Sequence, residues 1–478
     1  MEQTTIAALA TPPGKGGLAV IRLSGPMSET ILREIFQPIH KKNAFQNRFL
    51  MFGKAVFRGE TLDECTAVLM RAPNSYTRED VAEIFVHGGE YVVARVFKAL
   101  FSLGAVPAQP GEFTRRAFLN GRIDLSQAEA VMQVVSSSGK QAANAALRQL
   151  QGGALRFAQE AQGELLRLMA GVTAAIDYPE EIDQEEAVGD IAPALIALAL
   201  RLEDACDVRG AHILEEGLRV VICGKPNVGK SSLFNALVRE DRAIVTEIPG
   251  TTRDAIEGAV ELDGIRVLLR DTAGIRDSGE TVEQIGIQRA LSAITSADLC
   301  LMVMDGSRVA DEQDEAILHV MADVPRLILL NKCDLPADDS LEEWLEKRGI
   351  LSREIVDNGT CNQRDVRREE SSWETLSDGM LLRLSAKTGE GMDLLRQKIR
   401  NHAGEPGENA LTLVRHMRLA EAAASSLRQA AWAMREKMPL DLCAVDLNDA
   451  LAALSDITGE NISEALLDAV FSSFCVGK

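Results

Sequence analysis

A glycine-rich segment with phosphate-binding spacing occupies residues 224–231, where the sequence reads GKPNVGKS. A strand-like run precedes it and a helix-like run follows, a context that favours a phosphate-binding loop over a chance glycine turn. Backbone N–H groups in such a loop point at phosphates, and Lys230 can reach the β- and γ-oxygens. The Ser231 hydroxyl can bind Mg²⁺. The segment therefore predicts a nucleoside triphosphate site.

Two further strand-like runs end in residues suited to the same site. The first ends in DTAG, where Asp271 can hold the Mg²⁺ shell and Gly274 can turn toward a γ-phosphate. The second ends in NKCD, which contains Asn331, Lys332 and Asp334. The Asp334 carboxylate can accept hydrogen bonds from the N1–H and 2-amino groups of guanine, donors that adenine lacks. We therefore expect guanine as the base.

The letters SAK at Ser385, Ala386 and Lys387 follow another strand-like run. A backbone N–H in this segment can bind the guanine carbonyl oxygen. Four such elements in this order, each at the end of a strand, predict a GTPase.

The residue after DTAG is Ile275, at the position where Ras-like enzymes carry a water-orienting glutamine. An apolar side chain cannot orient water, so hydrolysis must use a polar group from elsewhere. Glu280 and Glu283 are the nearby candidates. For either residue alone, the sequence leaves open the alternative of a solvent-exposed carboxylate that caps a helix.

The composition limits the other classes of function. The formal charge of -20, from 51 Lys and Arg against 71 Asp and Glu, argues against broad non-specific nucleic-acid binding. Eight cysteines without a C-x-x-C pair argue against a zinc site or a disulfide framework. We find no secretory leader and no run of about 18 apolar residues, so we expect a cytoplasmic protein. The terminal FCVGK does not fit a prenylation box, which argues against a membrane-anchored GTPase.

The pattern of strand-like and helix-like runs predicts three domains. Residues 1–120 alternate both kinds of run, as a mixed α/β domain does. Residues 121–216 and 405–478 are rich in Ala, Leu, Gln and Glu at helical spacing, which predicts one helical domain in two segments. Between them, residues 217–404 predict a doubly wound parallel sheet inserted into the helical domain. The fold class is thus α/β and all-α multidomain.

The chain resembles the tRNA modification GTPase family MnmE, also called TrmE, along residues 8–478. The residues that carry the resemblance read ATPPGKGGLAVIRLSG, APNSYTREDVAEIFVHGG, PGEFTRRAFLNGRIDLSQAEAV, GKPNVGKSSLFNAL, IPGTTRD, DTAGIR, VEQIGIQRA and FCVGK. The resemblance implies a tetrahydrofolate-binding and dimerisation domain at the N-terminus, a discontinuous helical domain and an inserted Ras-like P-loop GTPase domain.

The resemblance also implies a reaction and its partners. The family adds an aminomethyl-type or carboxymethylaminomethyl group to carbon-5 of the wobble uridine of certain tRNAs, in a GTP-dependent manner. A tetrahydrofolate derivative is the carbon source. The implied partners are tRNA, a second copy of the chain and an FAD-dependent protein of the MnmG (GidA) type, without a membrane.

Carried over residue by residue, the resemblance assigns the metal and nucleotide contacts. It implies Mg²⁺ at Ser231 and Thr252, and the water-orienting role at Glu283. The implied K⁺ ligands are Asn227, Thr246, Ile248 and Thr251. The remaining GTP contacts implied are Val228, Gly229, Lys230, Ser232, Glu247, Pro249, Gly250, Asp271, Thr272, Ala273, Gly274, Asn331, Lys332, Asp334, Ser385, Ala386 and Lys387.

The same resemblance assigns folate binding to Arg22, Glu83, Arg122 and Lys478, and a role in the tRNA chemistry to Cys475. Two features depart from the family pattern. Arg122 stands where many relatives have lysine, which keeps the charge and changes its geometry. Residues 361–379 form a polar stretch that a minimal GTPase domain does not need.

A second hypothesis stays open from the sequence. The chain could be a regulatory switch GTPase of the ribosome-assembly type, with an N-terminal region that serves only for interaction. Arg22, Glu83, Arg122 and Cys475 discriminate between the two hypotheses, because a switch alone does not need them.

Overall fold

The computed structural model of the chain describes residues 4–40, 45–178, 180, 184–240, 258–271, 292–336, 339–347, 374–375, 380–404, 411–459, 464–472 and 474–477. It divides into two compact units. The first contains Met1–Ser136, Ala146–Cys206 and Arg415–Lys478, and the second contains Ser137–Ala145 and Asp207–Val414. Among the helices in the described ranges, none is long and apolar enough to cross a membrane.

The first unit contains a sheet whose described part has seven strands in the order β3-β4-β5-β6-β2-β1-β7. The strands are β1 (Ile6–Leu9), β2 (Gly16–Ser24), β3 (Phe36–Pro38), β4 (Met51–Phe57), β5 (Glu60–Met70), β6 (Val81–Gly88) and β7 (Val106–Pro107). Their apolar residues alternate, so that one face is buried beneath α1 (Ser28–Ile35) and α2 (Glu90–Ser102). The predicted α/β character of this region is confirmed.

Helices make up the rest of the first unit. They are α3 (Glu112–Leu119), α4 (Leu125–Ser136), α6 (Gly153–Asp177), α7 (Gln184–Asp204), α13 (Val414–Arg435), α14 (Leu440–Thr458) and α15 (Glu464–Ser472), while α5 (Lys140–Leu150) has residues in both units. Buried alanines and leucines recur every three or four residues along α6, α13 and α14, which allows close packing of these helices. Both sequence segments predicted to be helical contribute to this bundle.

The second unit contains a sheet whose described strands follow the order β13-β14-β12-β11-β8-β10-β9. The strands are β8 (Leu218–Cys223), β9 (Gly258–Leu262), β10 (Ile265–Asp271), β11 (Leu299–Asp305), β12 (Arg326–Asn331), β13 (Glu374–Thr375) and β14 (Met380–Arg383). The inner pairs are parallel and β9 and β13 pair antiparallel at the edges. Apolar clusters cover both faces, as a doubly wound sheet requires. The predicted fold class is therefore confirmed.

The helices of the second unit are α8 (Val208–Glu216), α9 (Lys230–Glu240), α10 (Glu312–Val320), α11 (Asp339–Lys347) and α12 (Met392–Ala403). The carboxyl ends of the parallel strands lie at one edge of the sheet, where ligands bind in open α/β folds. The predicted domain boundaries stay predictions.

Candidate functional site

The polar residues predicted to bind nucleotide lie at one edge of the sheet in the second unit. Asp271 is the last residue of β10 and Asn331 is the last residue of β12. Asn331 lies opposite Asp305, the last residue of β11, in a parallel pair. The phosphate-loop residues 224–229 follow β8 and lead into α9, which begins at Lys230. The fold thus gathers residues that are far apart in sequence.

The phosphate loop has the geometry of an anion cradle. Gly229 has φ of 101° and leaves no room for a side chain, because a Cβ there would lie 2.2 Å from Nδ2 of Asn331. The Lys230 Nζ donates to the carbonyl oxygen of Lys225 at 2.7 Å across the loop. The N-terminus of α9 directs the positive end of the helix dipole to the same place. An anionic phosphate fits this arrangement.

A hydroxyl and a carboxylate meet beside the loop. The Ser231 Oγ donates to Oδ2 of Asp271 at 3.1 Å, and Asp271 is buried. Both oxygens are of the hard type that Mg²⁺ prefers, so the described residues fit the predicted Mg²⁺ site. Thr252, the other predicted ligand, lies outside the described residues.

Asn331 joins the phosphate loop to the base-binding segment. Its Nδ2 donates to the Val228 carbonyl oxygen at 2.8 Å, and its Oδ1 accepts from the Ala386 N–H at 3.0 Å. Only 3% of the residue is exposed. A small change at Asn331 must therefore disturb two segments that are predicted to contact the nucleotide.

Asp334 is oriented by the segment after β14. The Ser385 Oγ donates to Oδ1 of Asp334 at 2.7 Å, and Ser385 is fully buried. Asp334 itself is exposed, so its other oxygen remains accessible to a base. The geometry brings the predicted guanine carboxylate next to the predicted Ser385, Ala386 and Lys387 segment.

Sequence reasoning missed Asp305. Its Oδ2 accepts from the Lys332 Nζ at 2.6 Å, and its Oδ1 accepts from the Ser307 hydroxyl at 2.7 Å. Burial acts to raise the pKa of Asp305, but the hydrogen bonds from Lys332 and Ser307 outweigh it and hold that pKa below its ordinary value. Asp305 thus fixes the position of the Lys332 side chain. Asp305 is the last residue of β11, and this position at the end of a strand could have identified it from the sequence.

Several predicted nucleotide and metal residues lie outside the part of the chain that the structure describes. They are Thr246, Glu247, Ile248, Pro249, Gly250, Thr251, Thr272, Ala273, Gly274, Ile275, Glu280 and Glu283. The polar stretch 361–379 also lies outside the described residues, except for Glu374 and Thr375. Of the predicted K⁺ ligands, Asn227 is described and has φ of 61° in the phosphate loop.

In the first unit, Arg22 and Glu83 form a directed ion pair. They lie opposite each other on β2 and β6, and the Arg22 Nε is 2.8 Å from Oε1 of Glu83. The guanidinium carbon of Arg22 also lies 5.6 Å from the ring centroid of Tyr76 and 5.7 Å from that of Phe113. Two of the predicted folate residues therefore share one partly buried site.

Arg122 borders the same aromatic ring. Its guanidinium carbon lies 4.6 Å from the centroid of Tyr76. Arg48, Tyr76, Arg78 and Arg122 line an open cleft of about 810 Å³. Guanidinium groups and an aromatic ring suit a planar ligand that carries carboxylates. Sequence reasoning missed Tyr76, which a search for aromatic residues between the predicted charges could have found.

The C-terminal residues lie against the Arg22 site. The Arg22 Nη1 donates to the Gly477 carbonyl oxygen at 3.4 Å, and the Gly111 N–H donates to the Cys475 carbonyl oxygen at 3.5 Å. Cys475 is exposed, whereas Cys65 and Cys300 are buried. Burial raises the pKa of the Cys65 and Cys300 thiols to about 12. Cys475 is thus an accessible thiol near two predicted folate residues, and Lys478 lies outside the described residues.

The chain matches two family models. One is described as the MnmE helical domain and matches residues 125–475, and the other as the GTP-binding protein TrmE N-terminus and matches residues 5–122. A protein named tRNA modification GTPase MnmE from Chloroflexus aurantiacus is 42% identical over 99% of both chains. Its namesake from Natranaerobius thermophilus is 38% identical over 100% of both chains.

A solved structure of Aquifex aeolicus Era bound to GDP and AlF4⁻ is 20% identical, with a TM-score of 0.25 over 44% of this chain and 66% of that one. The two family models and the full-length relatives are decisive: this chain belongs to the MnmE family of tRNA modification GTPases.

Proposed function

We propose that this chain hydrolyses GTP in a K⁺-dependent manner to drive modification of the wobble uridine of tRNA at carbon-5. As a member of its family, the chain is a GTPase that acts in tRNA modification. The added group is of the aminomethyl or carboxymethylaminomethyl type, and a tetrahydrofolate derivative donates its carbon. The observation that carries the proposal is the meeting of Ser231, Asp271, Asn331 and Asp334 at one sheet edge.

GTP binds through three groups of side chains. Lys230 neutralises the β- and γ-phosphates, and Asp334 accepts the two guanine donors while Ser385 holds its carboxylate. Ser231 and Asp271 hold the metal shell. If bound there, Mg²⁺ would supply positive charge that offsets the negative charge developing on the phosphates.

Hydrolysis needs a positive charge and a polar group that orients the attacking water. The apolar side chain of Ile275 can provide neither of them, so other residues must do so. We assign the second role to Glu283, which accepts a hydrogen bond from the attacking water. Asn227, Thr246, Ile248 and Thr251 provide the oxygen ligands for K⁺. When bound, this cation supplies the positive charge that an arginine finger gives in other GTPases.

We assign the folate to the site that contains Arg22, Glu83, Arg122 and Lys478. A reduced folate supplies the one-carbon unit for the modification. Glu83 pairs with the amidine-like edge of the pterin, and the cations bind the glutamyl carboxylates. Cys475 acts on the tRNA chemistry beside this pocket, where its carbonyl oxygen contacts Gly111.

The proposed assembly contains two copies of this chain and an FAD-dependent partner of the MnmG type, in a heterotetramer or a larger complex that acts on tRNA. With a chain charge of -20, tRNA contacts are local or are provided by that partner. The cytoplasm stays the predicted compartment.

The K⁺ dependence is tested by comparing GTP turnover in K⁺ and in Na⁺ at matched ionic strength. We expect faster turnover in K⁺, and Asn227→Ala should remove the difference while Lys15→Ala, outside the nucleotide site, should keep it. Equal rates in the two salts with the unchanged protein would remove the potassium assignment.

The folate assignment is tested by titration with tetrahydrofolate under anaerobic conditions. We expect saturable binding that Arg22→Ala weakens, because the substitution removes a cation for the glutamyl carboxylates and leaves the Glu83 carboxylate without the partner that orients it. Arg33→Ala removes an exposed cation of the same domain and should leave the affinity unchanged. A titration without any heat or fluorescence change would contradict the folate assignment.

A further inference from the structure

A partly buried cluster of charges joins α4 to the start of α13. The Glu129 carboxylate accepts from Arg415 through two parallel bonds of 2.7 Å, Nε to Oε1 and Nη2 to Oε2. The His416 Nε2 lies 3.0 Å from the same Oε2. The side chain of Glu129 is 12% exposed and that of His416 is 0% exposed. A bidentate pair of this kind fixes the relative orientation of both partners.

Arg415 also holds the end of α14. Its Nη1 donates to the Asp456 carbonyl oxygen at 2.8 Å and its Nη2 to the Ile457 carbonyl oxygen at 3.3 Å. Carbonyl groups in the last turn of a helix lack partners within that helix and carry partial negative charge. One guanidinium group therefore ties α4, α13 and α14 together.

The helix that this cluster holds also borders the proposed folate site. Arg122 precedes α4 by three positions, and the Asp124 Oδ1 caps the helix by accepting from the Gln127 N–H at 3.0 Å. From the first turns of α4, Leu125 and Ala128 pack in one apolar cluster with the residues Leu467, Phe471 and Phe474 that precede Cys475. A shift of α4 must therefore move Arg122 and the C-terminal residues together.

We propose that Arg415 is a positioning residue for the proposed folate site, and that it acts through α4. Arg415 holds Glu129 in place and thereby fixes α4. The start of α4 then positions Arg122, and the apolar face of α4 positions Phe474 and the adjacent Cys475. This inference rests on the proposed folate function. It adds a residue that lies at the point where the chain re-enters the first unit.

The test uses Arg415→Lys, which keeps the positive charge and loses the two-bond geometry. Two control variants of the same unit separate positioning from stability. Arg428→Gln breaks the pair that Arg428 forms with Glu203 on the exposed side of α13. Ser455→Ala breaks the buried bond that the Gln162 Nε2 donates to the Ser455 hydroxyl.

Each full-length variant is titrated with tetrahydrofolate, and GTP turnover and the melting temperature are measured alongside. We expect Arg415→Lys to weaken tetrahydrofolate binding about tenfold or more, because small displacements of a binding group are costly. GTP turnover should stay within about twofold of the unchanged protein. Both controls should bind tetrahydrofolate as the unchanged protein does, even where Ser455→Ala lowers the melting temperature.

Binding by Arg415→Lys that matches the unchanged protein would overturn the inference, and so would equal weakening in all three variants. If Arg415→Lys does not fold, Glu129→Asp carries the same expectation, because it retracts the carboxylate from Arg415 and keeps its charge. Failure of the unchanged protein to bind tetrahydrofolate would instead contradict the proposed function itself, and the two failures are therefore distinguishable.

Discussion

Replacing Asp334 by asparagine should change the base that the nucleotide site selects. In the structure, the Ser385 hydroxyl donates to one oxygen of Asp334 at 2.7 Å, and Asp334 is exposed. Asp334→Asn keeps the shape of the side chain and exchanges a charged acceptor for an amide with one donor and one acceptor. Guanine then loses its two bonds to a carboxylate. Xanthine, which carries an oxygen in place of the 2-amino group, gains a matching partner.

The size of the effect follows from the bonds that are lost. A hydrogen bond to a charged group contributes about 1.5–3 kcal/mol, so two bonds amount to about 3–6 kcal/mol. This corresponds to a loss of GTP affinity of about 10²–10⁴-fold. Competition against a fluorescent guanine nucleotide measures the loss, and xanthosine triphosphate should become the better competitor. Ser385→Ala, which removes only the orienting hydroxyl, should cost about two- to tenfold.

Two results would refute this reasoning. The first is an Asp334→Asn variant that binds GTP within about threefold of the unchanged protein, which would mean that the carboxylate does not contact the base. The second is a variant that loses GTP without gaining xanthosine triphosphate, which would point to a damaged site rather than to altered base selection.

The remaining predictions concern hydrolysis, the phosphate loop and acid stability. Glu283→Ala should lower GTP turnover about 10²–10⁴-fold in steady-state assays and leave GTP affinity near that of the unchanged protein; a large loss of affinity would indicate a binding role instead. Gly229→Ala places a Cβ 2.2 Å from Nδ2 of Asn331 and should abolish tight GTP binding in a nucleotide titration, so retained affinity would show that the loop does not need this approach. Hydrogen bonds from Arg71, and to a smaller extent from Arg33, lower the pKa of Glu29 from 4.5 to about 2. The Glu29–Arg71 pair therefore stabilises the fold above pH 4.5 and loses its effect as the pH falls toward about 2. The difference in melting temperature between the unchanged protein and Arg71→Gln should therefore shrink over that range, and a difference that grows on acidification would contradict the assignment.

The nucleotide site could be predicted from sequence because its residues follow strands. The strands β8, β10 and β12 are apolar runs, and parallel strands bring their carboxyl ends to one edge. Asp271 and Asn331 could therefore be predicted as site residues without any knowledge of contacts between distant segments. The helical character of residues 405–478 was predictable from the helical spacing of Leu419, Ala423, Leu427 and Ala431. Of these four residues, Ala423, Leu427 and Ala431 are buried and Leu419 is partly buried.

Contacts between distant segments could not be predicted. The Arg22–Glu83 pair depends on the register of β2 against β6, and a shift of one residue would move a side chain to the other face. The Glu129–Arg415 pair joins residues 286 positions apart, and no periodic pattern encodes such a meeting. Its residues look like ordinary helix-surface charges in the sequence. Burial, which only the packed structure provides, distinguishes them.

The most direct measurement is nucleoside analysis of wobble-position tRNA from cells that lack this protein. We expect the carbon-5 modification to disappear, to return with the unchanged gene and not to return with a Cys475→Ser copy. Normal wobble nucleosides in cells without the protein would contradict the proposed function, and full restoration by Cys475→Ser would contradict the role of the thiol.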